Sequence, residues 1–143
     1  MLVQPYLFFN GRCEEALKFY SDKVGAQVLL QMRFKDAPPN PERPITPGSE
    51  EKIMHTTLRI GSTELMASDG NCDTSASPHS GYALSLTADD AASGEKLFNA
   101  LSDGGQVTLP WQQTFWSKGF GMLIDRFGVM WMVTIPHDTG AAA

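Results

Sequence analysis

Few residues in this chain could carry out chemistry, and His55 is the first of them. The chain contains three histidines in 143 residues. His55 lies in the middle of a predicted strand, in step with Thr57, where it could act as a general base or donate a hydrogen bond to a ligand oxygen. The same position also suits a structural histidine that is hydrogen-bonded across a sheet or at a dimer interface. We expect the other two, His79 and His137, to be solvated.

The two cysteines, Cys13 and Cys72, are 59 positions apart and form no CxxC pair. This usage favours two reduced thiols in a cytoplasmic protein over a disulfide or a catalytic Cys13. A position near a helix N-terminus could lower the pKa of Cys13. Its spacing to Leu17 and Tyr20, however, places Cys13 on the buried stripe of a predicted helix.

Aromatic residues and methionines are the other candidates for a binding site. Trp116 lies between two predicted strands, where it could stack on a ligand, plug the core or contact another subunit. Methionines on the predicted strands either fill the core or line an adaptable binding surface that would prefer an apolar or aromatic ligand, and they include Met54, Met66, Met122, Met130 and Met132. Our candidate ligand-binding residues are Tyr6, His55, Trp116, Met122 and Met132, and His55 is the only catalytic candidate.

Composition excludes several classes of protein. Eleven basic and sixteen acidic residues give a net charge of −5, which argues against nucleic acid or an anionic membrane as a partner. The hydrophobic fraction of 42% and the charged fraction of 19% are ordinary for one globular domain. The longest apolar-rich stretch, 128–135, is too short to span a bilayer, and no targeting segment is evident at the N-terminus. We therefore expect a cytoplasmic protein.

Hydrophobic periodicity predicts the same order of elements twice: one strand, one helix and three more strands. The first module covers residues 1–69, residues 70–80 form a linker, and the second module covers 81–137. Five prolines within 36–50 predict a long loop. The predicted strands are 3–9, 26–34, 53–60, 63–68, 82–86, 106–110, 120–124 and 129–135, and the predicted helices are 12–24 and a segment that begins with a capping box at Thr87 and Asp90 and ends at Gly104.

A short sequence echo supports an internal duplication. Gly25-Ala26-Gln27-Val28-x-Leu30 matches Gly104-Gly105-Gln106-Val107-x-Leu109 at an offset of 79 (104 − 25), and both copies lie where a helix turns into a strand. Two βαβββ modules predict an α+β fold in which paired sheets form a curved half-barrel cup. The mouth of such a cup is a default site for a small molecule.

Five stretches of the chain carry a family resemblance: Pro5-Tyr6-Leu7-x-Phe9-Asn10-Gly11-x-Cys13-Glu14-Glu15-Ala16-Leu17-x-Phe19-Tyr20, Lys52-Ile53-Met54-His55, Leu65-Met66-Ala67-Ser68-Asp69, Thr114-Phe115-Trp116 and Asp125-Arg126-Phe127-Gly128-Val129-x-Trp131-Met132. As a set they resemble the PhnB-like branch of the vicinal oxygen chelate (glyoxalase/bleomycin resistance/dioxygenase) superfamily. The resemblance runs from about residue 3 to residue 135 and implies a homodimer. Some members of that branch carry the name of a ubiquinone-precursor methyltransferase, but no strand here leads into a glycine-rich turn of the kind that holds a nucleotide-like cofactor.

The superfamily's usual divalent metal has no ligands at the matching positions. The resemblance places these positions at Pro5, near Leu65, at about Ala83 and at Met132, and none of these side chains suits a hard or borderline cation. We therefore expect no metal and no cofactor. A relocated site could draw on His55, Glu64, Asp69 and Tyr82, although no two of them have a metal-type spacing.

The resulting hypothesis is a metal-free protein that binds a small apolar or aromatic molecule in its cup. One alternative is an enzyme of the lyase, isomerase or dioxygenase type with a relocated or absent metal. Another is a structural or regulatory dimer whose cup is filled.

Overall fold

The computed structural model describes residues 1–73 and 79–136. The chain divides into two compact units, Met1–Ala76 and Ser77–Ala143. Each has one four-stranded mixed sheet and one α-helix, which confirms the α+β class. Residues 74–78 of the predicted linker, and His137 at the end of the second predicted module, lie outside the described residues.

The first unit follows the predicted order of elements. Its sheet has the strand order β1-β4-β3-β2, in which β1 is parallel to β4 and the other pairs are antiparallel. Its helix ends at Gly25, whose φ of 69° gives the left-handed stop that the sequence predicts. The elements are β1 (Tyr6–Phe8), α1 (Cys13–Val24), β2 (Gln27–Arg33), one 3-10 turn (Phe34–Asp36), β3 (Ile53–Ile60) and β4 (Thr63–Ser68).

The second unit repeats this topology. Its sheet has the order β5-β8-β7-β6, with β5 parallel to β8. Within the described ranges, neither α-helix of the protein has the length and apolar content that a membrane crossing requires. The elements are β5 (Leu84–Thr87), α2 (Ala91–Leu101), β6 (Gln106–Gln112), β7 (Phe120–Ile124) and β8 (Met130–Thr134).

The sequence echo corresponds to a shared irregularity of the backbone. The pairing of β2 with β3 shifts register between Val28 and Leu30. The pairing of β6 with β7 shifts between Val107 and Leu109, which is the same place at the offset of 79 (107 − 28). A bulge of this kind bends its strand and strengthens the twist. Its presence in both copies supports the duplication.

Several predicted boundaries differ from the observed ones, and three of the differences have a clear physical reason. Strand β1 is shorter than 3–9, because Pro5 cannot donate to a strand ladder and Val3 is fully exposed. Thr87 is the last residue of β5 and takes no part in a capping box, since Asp90 alone caps α2. Helix α2 ends at Leu101, so Gly104 lies in the turn that follows rather than at the helix end.

Each sheet buries one face and leaves the other partly exposed. In β7, a Cβ on Gly121 would lie 2.5 Å from the Phe98 ring of α2, so this side of the strand packs against the helix. Its neighbour Met122 lies on the opposite face, because side chains alternate along a strand. In the first unit, Leu7 and Leu58 are buried, whereas Tyr6, beside Leu7, is 38% exposed. Any site on these sheets therefore uses the face that the helices leave open.

Candidate functional site

Tyr6 and His55 form a hydrogen-bonded pair on the open face of the first sheet. Strand β4 lies between their strands, and Tyr6 and Thr57 both pair with Met66. His55 precedes Thr57 by two residues, so its side chain shares this face. The Tyr6 hydroxyl lies 2.8 Å from Nδ1 of His55, and the two ring centroids are 5.6 Å apart. The fold thus brings together two residues that are 49 positions apart in the chain.

The surroundings of this pair are apolar and aromatic. Phe8 stacks on Tyr6 with a centroid distance of 5.1 Å and is itself 50% exposed. Burial raises the pKa of Tyr6, and a hydrogen bond with the Ser68 hydroxyl opposes that rise. The phenol therefore keeps its proton at neutral pH. A neutral phenol can donate to Nδ1 of His55, which leaves the imidazole proton on Nε2.

Met122 and Met132 are direct cross-strand partners on the open face of the second sheet. Ser85 on β5 pairs with Met132, and Leu109 on β6 pairs with Met122. Both methionines are half-buried. Leu109, Met122 and Met132 thus form an apolar strip of flexible side chains, and the hydroxyl of Ser85 lies at its edge. Trp131, next to Met132 in sequence, is 3% exposed and lies on the buried face, as expected.

Trp116 is presented on a tight turn that precedes β7. The turn is closed by hydrogen bonds between Thr114 and Ser117, and Ser117 is buried. Trp116 is 42% exposed, so it is no core plug, and its ring meets Phe120 at 5.6 Å. Phe115, which the sequence reasoning did not single out, is 97% exposed and packs edge-to-face on Trp116 at 4.8 Å. A run of aromatic side chains thus leads from the turn to the first residue of β7.

The five candidate ligand-binding residues therefore form two groups. Tyr6 and His55 contact each other in the first unit. Met122 and Met132 pair in the second unit, and Trp116 reaches the same strand as Met122 through Phe120. The alternation of side chains along β1 and β3 indicates which residues share a face, but it does not show that Tyr6 lies near His55. That contact follows only from the strand order of the sheet.

Asp69 serves the structure rather than a relocated metal. It is 1% exposed. Its Oδ1 accepts hydrogen bonds from the backbone N–H groups of Gly11 and Cys13, and its Oδ2 accepts one from Ile53, each at 2.8 Å. Both carboxylate oxygens thus have protein donors. No group of three or more His, Cys, Asp or Glu side chains that could hold a metal occurs within residues 1–73 and 79–136.

The positions that the resemblance assigns to metal ligands have other roles. The carbonyl of Pro5 accepts a hydrogen bond from the Met66 N–H. Leu65 is 4% exposed and lies on the buried face of β4, Ala83 directly precedes β5, and Met132 belongs to the apolar strip. These side chains do not fit a divalent cation. The metal-free state itself stays a prediction.

His79 is half-buried and has a protein partner. Its Nδ1 is hydrogen-bonded to the hydroxyl of Tyr82, and the two rings meet edge-to-face. Burial raises the pKa of Tyr82, and the charge of Asp125 adds to this effect. The second unit therefore has a tyrosine–histidine pair of its own, formed between residues only three positions apart.

Comparisons with known proteins agree with this architecture. A family model described as 3-demethylubiquinone-9 3-methyltransferase matches residues 2–134. The chain is 33% identical over 141 residues to protein YjdN of Escherichia coli (strain K12), covering 94% of this chain and 95% of that protein.

Solved structures give the same result. A Pseudomonas aeruginosa protein is 40% identical with a TM-score of 0.83, covering 96% of this chain and 99% of that one. A Bacillus cereus PhnB protein, described as a putative 3-demethylubiquinone-9 3-methyltransferase, is 25% identical with a TM-score of 0.77, covering 95% and 100%. A glyoxalase-related enzyme from Fulvimarina pelagi is 15% identical with a TM-score of 0.63, covering 95% and 88%, and shows the fold alone.

Proposed function

This chain belongs to the PhnB-like 3-demethylubiquinone-9 3-methyltransferase family, and we propose that it is a metal-free protein that binds a small apolar or aromatic molecule. The observation that carries the proposal is the chemistry of the open sheet faces. Tyr6 and Phe8 on one sheet, and Met122 and Met132 on the other, are incompletely buried. Apolar and aromatic walls with few polar groups are typical of small-molecule sites.

Methyl transfer is not the activity that these residues favour. A helix N-terminus after a glycine-rich turn is the usual place for a nucleotide-like cofactor, because its free N–H groups bind the ligand. Here Asp69 occupies the N–H groups of Gly11 and Cys13 at the start of α1. Asp90 occupies the N–H of Ser93 at the start of α2. A carboxylate thus already accepts donors at each helix start, so the family's name does not decide the function of this chain.

The absence of a metal is proposed on the chemistry of the donor set. Proline, leucine, alanine and methionine at the family's ligand positions offer no hard or borderline donor. Elemental analysis of purified protein should give less than about 0.1 equivalent of zinc, nickel, manganese or iron. A stoichiometric metal that survives dialysis would overturn this part of the proposal.

Ligand binding is tested by thermal stabilisation with a library of small apolar and aromatic compounds. A ligand at 100 times its Kd should stabilise the folded state by about 2.7 kcal/mol, which raises Tm by several degrees. Met132→Gln should weaken the tightest compound by about tenfold or more, because it places an amide in the apolar strip. Ile45→Gln is the matched control, since Ile45 is a 39% exposed apolar side chain outside both sheets. Equal losses in both variants, or no stabilising compound, would contradict the proposal.

An acid–base enzyme is the second candidate, and the Tyr6–His55 hydrogen bond is the observation that favours it. A neutral imidazole that is oriented by a phenol can accept or donate a proton in a lyase or isomerase reaction. Incubation of each stabilising compound with the protein, followed by mass spectrometry, separates the two functions. Turnover that His55→Gln abolishes while binding persists would establish the enzyme. Unchanged compounds would support the binding protein.

We further propose that the protein is a homodimer. Val28, Leu29 and Leu30 are consecutive apolar residues of the edge strand β2, and each is more than 40% exposed. An uncovered apolar edge strand is rare in a monomer, because it invites pairing with another chain. Light scattering should therefore give twice the chain mass, and Leu29→Lys should shift the equilibrium towards monomer. A monomer at micromolar concentration would contradict this assembly.

A further inference from the structure

We infer that the ligand of this protein carries an acceptor oxygen, a carbonyl or carboxylate attached to an aromatic body, and that Nε2–H of His55 donates to it. The inference rests on the proposed binding function and adds the ligand's chemical class. It also assigns Tyr6 as a positioning residue that fixes which nitrogen of His55 is the donor.

The direction of the Tyr6–His55 hydrogen bond determines the donor. The Tyr6 hydroxyl lies 2.8 Å from Nδ1. A neutral phenol can donate or accept in such a bond, and we infer that here it supplies the proton while Nδ1 supplies the lone pair. With this direction, the proton of the imidazole is on Nε2. Stacking against Phe8 holds the tyrosine ring in place for this contact.

Among residues 1–73 and 79–136, the second nitrogen of His55 has no hydrogen-bonded acceptor, and the His55 side chain contacts Tyr6. The residue is half-buried rather than exposed. A half-buried N–H without a protein partner loses part of its hydration when an apolar ligand covers it, and an acceptor on the ligand restores the lost hydrogen bond.

The neighbours of His55 define the rest of the ligand. Met32 on β2 is the direct cross-strand partner of His55, and Met66 on β4 is the partner of Tyr6. With Phe8, these side chains surround one polar donor with thioethers and aromatic rings. Sulfur and ring edges pack favourably on an aromatic body. The surface thus matches a molecule with an aromatic body and an acceptor oxygen.

The test compares three probes of similar shape: 2-acetylnaphthalene, 2-naphthoate and 2-ethylnaphthalene. Their Kd values for the full-length protein are measured by titration calorimetry at pH 8. We expect 2-acetylnaphthalene to bind about tenfold more tightly than 2-ethylnaphthalene, which corresponds to one net hydrogen bond. The naphthoate distinguishes a carboxylate preference from a carbonyl preference. Equal Kd values for all three would overturn the acceptor inference and leave the proposed function intact, whereas failure of all three to bind would contradict both.

Two variants locate the donor. His55→Phe should reduce the tenfold preference to less than about twofold, since it keeps an aromatic ring and removes the N–H. His79→Phe is the matched control, because it breaks the other tyrosine–histidine pair and should leave the preference unchanged. A preference that survives His55→Phe would overturn the assignment. The preference of the wild-type protein remains informative if a variant fails to fold.

The role of Tyr6 has a spectroscopic readout that a loss of packing would not produce. Nitrogen-15 spectra at pH 8, assigned by comparison with His55→Phe, should show the proton of His55 on Nε2. Tyr6→Phe should shift the Nδ1 resonance and reduce the probe preference by about threefold, while Phe8→Leu should leave the Nδ1 resonance in place. A proton on Nδ1 in the wild-type protein would contradict the positioning role.

Discussion

The two α-helices begin in different ways. Helix α1 follows Arg12, which makes no side-chain cap, and Asp69 accepts the N–H groups of Gly11 and Cys13 instead. Helix α2 follows Asp90, whose own carboxylate accepts the N–H of Ser93 at 2.8 Å. The cap of α1 is thus 56 residues away from Cys13, and the cap of α2 is local. The duplicated units share their topology, but the same structural need is met once by tertiary contact and once by neighbouring sequence.

The remote cap joins more of its unit than the local cap does. Asp69 is 1% exposed and also accepts the N–H of Ile53, so it connects the β1–α1 turn, the helix and the start of β3. Asp90 lies on the surface and serves only the first turn of α2. We therefore expect the two aspartates to differ strongly in their contribution to stability.

The largest expected effect is that of Asp69→Ala. The substitution leaves the buried N–H groups of Cys13 and Ile53 and the partly buried N–H of Gly11 without an acceptor. Each unpaired donor costs about 1–3 kcal/mol, and water that enters the site offsets part of this cost. The free energy of unfolding should therefore fall by about 3–6 kcal/mol. Urea denaturation monitored by circular dichroism measures this loss.

Asp69→Asn is the graded variant of the same experiment. The amide keeps one acceptor oxygen but turns an NH₂ group towards one of the N–H donors, so its loss should lie between those of wild type and Asp69→Ala. Asp90→Ala is the comparison from the other helix. If Asp69→Ala were no more destabilising than Asp90→Ala, the contrast between remote and local capping would be wrong.

Local signals were sufficient to predict most of the elements. The bounds of β3, β4 and β7 agree with the sequence prediction. The alternation of apolar and polar residues marks these strands, and the tight turn at Gly61 separates β3 from β4. Gly25 marks the end of α1 for the same reason. The sequence prediction named Asp90, but as the second member of a capping box that begins at Thr87, whereas Asp90 is itself the N-cap and Thr87 belongs to β5.

Contacts that depend on strand order could not be predicted from the sequence. Tyr6 and His55 were each named as candidates, but their contact requires β4 to lie between β1 and β3. Asp69 was weighed as a metal ligand, because nothing near it in sequence shows that Ile53 and the start of α1 would surround it. A long-range hydrogen bond leaves no periodic pattern, so only the folded chain reveals it.

Cys13 gives the second prediction, because it lies at the remotely capped helix start. A helix N-terminus usually lowers the pKa of a thiol. Here burial raises the pKa of Cys13 well above its ordinary value, and the charges of Asp69 and Glu14 raise it further. Since the thiolate is the reactive form, Cys13 should not react with thiol reagents at pH 8. Cys72 is only half-buried, so its thiol should react.

Ellman's reagent checks this prediction. Native protein should release about one equivalent of thionitrobenzoate, with Cys13 reacting at least about 100-fold more slowly than Cys72. Protein in denaturant should release two equivalents, because both cysteines are free thiols. Cys72→Ser is the control and should show almost no reaction in the native state. Rapid modification of Cys13 in that variant would mean that the start of α1 is not closed as described.

The smallest expected effect is that of Asp90→Ala, and its pH dependence identifies the local cap. The backbone hydrogen bond from Ser93 lowers the pKa of Asp90, and the Ser93 hydroxyl contributes in the same direction. A carboxylate with a lowered pKa stabilises the folded state above its unfolded pKa of about 3.9, and this stabilisation is lost as the pH falls through the folded-state pKa. The variant should therefore lower Tm by about 3 °C at pH 7, and the difference should shrink below about pH 4.

Asp90→Asn should keep most of the stability at both pH values, because asparagine caps without ionising. Thr87→Ala separates this local cap from the capping box that the sequence suggested: a loss as large as that of Asp90→Ala would restore the box, and a smaller loss without pH dependence would leave Asp90 as the cap.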